Sequence, residues 1–115
     1  MSRENLSQRW ADLSQKLEAM FDMEINEESI LFLIGIRELG SNGQREFSKQ
    51  EKTDLMHIAV CRLFSASGYY QLSHTDQDGW PHWELLVPLP NMDTFTQAYT
   101  LKLHILNYFD EVFEE

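Results

Sequence analysis

The chain has 115 residues, 43% of them hydrophobic and 12% aromatic, which excludes intrinsic disorder and suffices for one small core. Its 19 Asp and Glu against 9 Lys and Arg give a net charge of −10, which argues against a polyanion as partner, because phosphate binding needs clustered basic side chains. One cysteine, Cys61, leaves no internal disulfide to form, so a reducing, cytoplasmic setting is expected.

The N-terminal residues carry Arg3, Glu4 and Arg9 with no apolar run of a signal peptide. The longest apolar run, Ile30 to Ile34, falls far short of the ~20 residues that span a bilayer. A single domain over 1–115, away from the membrane, is the expectation.

Residues 3–21 read as an amphipathic helix. Leu6, Trp10, Leu13, Leu17 and Met20 recur at spacings of 4, 3, 4 and 3, an a/d stripe of about two heptads. Such a stripe either lies on the protein's own core or forms a seam with a second copy, giving a homodimer. A second helix is expected over 27–39, with Asn26 as N-cap and Glu27 and Glu28 in the first turn. Ile30, Leu31, Phe32, Leu33, Ile34 and Ile36 cover nearly every face of it, and Gly35 inside it signals close approach of another element. A polar loop, 40–46, leads to Ser48-Lys49-Gln50-Glu51, a capping box that opens a third helix over 49–66. Leu55, Ile58, Ala59, Arg62 and Leu63 form its stripe, and Gly68 ends it.

Tyr69 to His74 and His82 to Val87 then flank a turn-rich stretch containing Asp78-Gly79 and Pro81, the pattern of a β-hairpin. Matching apolar faces pairs Leu72 with Leu85, Tyr70 with Val87 and His74 with Trp83, which puts His74 and His82 on opposite faces. The last helix is expected over 94–113 with Asp93 as N-cap; its acidic C-terminal end opposes the helix dipole, so the final turn should fray unless a partner covers it. The order is helix, helix, helix, hairpin, helix: a mostly helical α+β protein with the element order of a winged helix.

Three clusters could carry chemistry. Asp54, His57 and Cys61 share a face of the third helix, at i, i+3 and i+7. Zinc completed by His74 or His82 is disfavoured by the single Cys and the divided histidines, so no metal or cofactor is expected. A Cys–His nucleophile is disfavoured because Cys61 sits mid-helix among Ile58, Val60 and Leu63, where nothing stabilises a thiolate. The second cluster is Trp80, His82 and Trp83 at the hairpin tip, large aromatic surface of the kind that anchors partners. The third is basic: Arg37, Arg45, Lys49 and Lys52, the residues a winged-helix-like nucleic-acid-binding regulator would use. Glu38, Glu46 and Glu51 interrupt it, and no Lys or Arg occurs from Leu63 to Leu101, where a wing would need them.

The stretch Asp54-Leu55-Met56-His57-Ile58-Ala59-Val60-Cys61-Arg62-Leu63, with Gly68-Tyr69-Tyr70 and Asp78-Gly79-Trp80-Pro81-His82-Trp83, resembles a family of small uncharacterised bacterial proteins, over roughly residues 30–110. The resemblance implies a short, single-domain bacterial cytoplasmic protein and carries no activity, cofactor or catalytic residue. The expected function is that of a non-enzymatic protein-interaction domain. It would bind a protein partner through Trp80, His82 and Trp83, or a second copy through Leu6, Trp10, Leu13 and Leu17.

Overall fold

A computed structural model describes residues 3–40 and 46–114. Its elements follow the expected order: α1 (Arg3–Phe21), α2 (Glu27–Leu39), α3 (Lys49–Ser65), β1 (Tyr70–Thr75), β2 (Pro81–Leu85) and α4 (Thr94–Glu114). The fold is α+β and mostly helical. No helix among the described residues is long and apolar enough to cross a membrane. The polar loop lies, from 41 to 45, outside the described residues, and Arg45 with it. The chain divides into two compact units, Met1–Glu27 with Asn91–Glu115, and Glu28–Pro90.

In the first unit α1 packs against α4. Leu6, Leu13 and Leu17 of the α1 stripe are buried, as are Ile105, Leu106, Tyr108 and Phe109 of α4. Met20, expected to continue the stripe, is 56% exposed, because the helix stops at Phe21 and the chain turns at Asp22, whose φ is 50°. Asp93 caps α4 through Oδ1, which accepts from the Thr96 amide at 2.7 Å. The acidic end of α4 meets cations of α1: Arg9 pairs with Asp110, and Lys16 Nζ lies 3.6 Å from the centre of the Phe113 ring. Positive charge there offsets the dipole, and α4 continues to Glu114.

In the second unit the capping box closes as expected. Ser48 Oγ accepts from the Glu51 amide at 3.1 Å, and the Ser48 amide donates to Glu51 Oε1 at 3.0 Å. The helix so started buries Leu55, Ile58, Ala59, Cys61, Leu63 and Phe64. Gly35 is where α2 and α3 touch: a Cβ built on it would stand 2.3 Å from the Leu55 carbonyl oxygen. Two helices held this close need a residue without a side chain at the crossing.

The hairpin register differs from the expected one. Tyr70 faces Leu85, Leu72 faces Trp83, and a bulge between Leu72 and His74 brings His74 opposite His82. The offset of two residues preserves the shared face of Tyr70, Leu72, Trp83 and Leu85, since side chains alternate with period two. The bulge, however, puts His74 and His82 on one face, where their rings stack 4.6 Å apart and 3° from parallel. The cause is the tip. The Asp76 amide donates to the Trp80 carbonyl at 2.9 Å and the Gly79 amide to the Asp76 carbonyl at 3.0 Å, closing a loop of 76–80. Gly79, at φ +88°, supplies the left-handed residue this turn requires. Pro81 can begin β2 because the first strand position tolerates a missing N–H.

Candidate functional site

The site is a groove between α3 and the hairpin tip, of about 420 Å³. Asp54, His57 and Ile58 of α3 form one wall; Asp76, Trp80, Pro81, His82 and Trp83 form the other. Two clusters that stood apart in the sequence therefore meet. Asp54 and His57 reach the groove because i and i+3 project to one side of a helix. Trp80, His82 and Trp83 reach it because the tight 76–80 loop turns β2 back beneath the tip.

Asp76 organises the tip, a role the sequence reading missed. Its Oδ1 accepts from the amides of Asp78, at 2.9 Å, and Trp80, at 3.0 Å, while Oδ2 accepts from His82 Nε2 at 2.8 Å. The His82 bond above all, then the Trp80 amide, holds the Asp76 carboxyl below the usual range. The signal was present, since an Asp opening a turn binds the amide two residues on. On the other wall Asp54 Oδ1 accepts from Gln50 Nε2, a neutral donor, at 3.0 Å. The Trp83 indole nitrogen is buried and finds no acceptor among the described residues.

Cys61 does not line the groove. It is fully buried, with Sγ 3.5 Å from His57 Nε2, and burial pushes its pKa up to about 11. At neutral pH it is a thiol, so the Asp54, His57 and Cys61 face offers no thiolate for attack. Among the described residues no three His, Cys, Asp or Glu side chains are grouped to hold a metal ion.

The remaining candidates lie elsewhere. Of the α1 stripe, Leu6, Leu13 and Leu17 are buried, while Trp10 is partly exposed with Lys102 Nζ 5.2 Å from its ring centre. Of the basic set, Lys49 and Lys52 are exposed on the first turn of α3, and Arg37 lies 3.5 Å from Glu38, which Arg62 also approaches, at 3.4 Å. No protein-family model, curated protein or solved structure matches the chain.

Proposed function

We propose that the chain is a non-enzymatic protein-interaction domain, with the β-hairpin of the Glu28–Pro90 unit as its contact surface. The observation that carries this is exposed aliphatic surface. Leu72 and Leu85 are 51% and 50% exposed and lie diagonally across the two strands on one face of the hairpin, and Leu86 and Val87, which follow, are 48% and 50% exposed. Contiguous apolar surface on a water-facing hairpin costs free energy that a partner recovers. Trp80 and Trp83 beside it supply the aromatic anchors that dominate interface energetics.

The burial of Leu6, Leu13 and Leu17 supports placing the contact on the hairpin rather than on a seam of two first helices. The protonated state of Cys61 supports a binding rather than a catalytic role for the neighbouring face. The single cysteine supports a reducing, cytoplasmic location. The test is a photo-crosslinking amino acid placed at Leu85, on the apolar face, or at Glu84, on the opposite face, in the producing cell. Crosslinking to one discrete polypeptide from position 85, absent from position 84 and abolished by Leu72→Asp, is expected. Equal crosslinking from both faces, or none from either, refutes the reading.

A further inference from the structure

The connection that leaves β2 for α4 exposes apolar side chains on a stiff backbone. Leu86, Val87 and Leu89 are exposed, and so are Pro88 and Pro90. After a bend at Val87 the chain runs to α4 with no helix, strand or turn. Its conformation is nevertheless narrow. Proline holds its own φ at about −65° and bars the residue before it from the helical region. In Val87-Pro88-Leu89-Pro90 every residue is a proline or precedes one, so all four are confined to extended or polyproline II backbone. Among the described residues the carbonyls of Pro88, Leu89 and Pro90 accept no hydrogen bond.

Different partners make different demands on such a segment. A sheet edge needs donors, and Pro88 and Pro90, two residues apart, remove both N–H groups from one edge. A helix-binding groove needs an amphipathic helix, which these prolines forbid. A groove lined by Trp and Tyr needs a stiff, apolar, acceptor-rich segment. Proline rings pack on the aromatic faces, and indole N–H and phenol O–H groups donate to the carbonyls. Polyproline II turns once in three residues, so Val87 and Pro90 share one ridge while Pro88 and Leu89 occupy the other two, which leaves every side apolar. We infer that residues 87–90 are a docking segment for an aromatic-lined groove on a partner protein, an inference that rests on the hairpin being the interaction surface. The segment continues directly from the exposed Leu85 and Leu86, and its confined backbone loses little freedom on docking.

The test places a photo-crosslinking amino acid at Leu89 of the full chain, in an extract of the producing cell. Two blocked heptapeptides compete: Leu-Leu-Val-Pro-Leu-Pro-Asn, the sequence of 85–91, and the same peptide with both prolines replaced by alanine. One crosslinked polypeptide is expected, displaced by the native peptide and about tenfold less readily by the alanine peptide, which has more backbone freedom to lose. Mass spectrometry should place the crosslink in the partner beside Trp or Tyr. The double variant Pro88→Ala/Pro90→Ala should still melt cooperatively and lose most of the crosslink. Equal displacement by the two peptides overturns the inference, as does a crosslink that neither displaces or that the double variant keeps in full. A contact without an aromatic side chain, or no crosslink at all from position 89, overturns it too. The comparison of positions 85 and 84 judges the interaction reading independently: if position 85 still crosslinks, the partner holds the apolar face of the strands and not this segment.

Discussion

Gly35 and Leu55 meet so closely that α2 and α3 could not cross as they do with any side chain at position 35: the Cβ of an alanine would lie 2.3 Å from the Leu55 carbonyl oxygen. In an exposed helix interior Gly→Ala gains up to about 1 kcal/mol. Here the sign reverses, because the atom in the way is backbone on a neighbouring helix and cannot rotate aside. Gly35→Ala should destabilise by about 1–3 kcal/mol, read as a lower urea midpoint with an unchanged slope. A midpoint that rises would mean that the two helices are free to separate.

Asp76 ties the hairpin tip through three hydrogen bonds, and its carboxyl is held below the usual range by His82 and by the Trp80 amide. A depressed folded pKa contributes stability that is present above the unfolded value, near 4, and lost as pH falls through the folded value. The amide resonances of Asp78 and Trp80 should therefore hold their positions down to about pH 4 and move together only below it. Asp76→Ala should leave both amides exchanging rapidly with solvent at neutral pH while the amides of α3 remain protected. Unchanged exchange in the variant would show that the turn holds without the carboxylate.

The helices were legible because their determinants are local. Ser48 and Glu51 are three residues apart and satisfy each other, so a capping box can be read from four letters. Gly35 was legible for a related reason: glycine inside an otherwise strong helix has few explanations besides close packing. The hairpin register was not legible, because apolar matching alone is satisfied by registers two residues apart. What selected the observed register is the closure of the 76–80 loop and a bulge, both of which depend on backbone hydrogen bonds that leave little trace in polarity. The groove was half legible. Its residues could be nominated on each element, but their meeting depends on how α3 lies against the hairpin, which no local pattern encodes.

Cys61 offers a direct reading of that packing. Its pKa of about 11 results from burial, against an ordinary value of 9.0. At pH 8 this alone lowers the thiolate fraction about 100-fold, and lack of access lowers reactivity further. Labelling by a thiol reagent should therefore be at least that much slower in the native protein than in urea. The raised pKa also fixes the sign at alkaline pH: the contribution is complete below pH 9 and is lost as pH rises through about 11. Native labelling as fast as in urea would show an open, ionisable thiol and return Asp54, His57 and Cys61 to consideration as a nucleophilic site.

Leu13 distinguishes a core stripe from a seam. It is 8% exposed within a single chain, and Leu17, one turn on, is fully buried. Glutamate at position 13 would place a carboxylate among apolar neighbours; of the cations one turn away on α1, Arg9 is already paired with Asp110 and Lys16 lies over the Phe113 ring. Leaving a charge buried and unpaired costs roughly 3–5 kcal/mol, a large share of a small domain's stability. Because the neighbours belong to the same chain, the cost falls on folding and not on association. Leu13→Glu should lower Tm by the same amount at protein concentrations a hundredfold apart, and sedimentation velocity should give wild type and variant the same mass. Were the stripe a seam, the variant would keep the Tm of the dilute wild type and differ only by losing a dimer that the concentrated wild type forms.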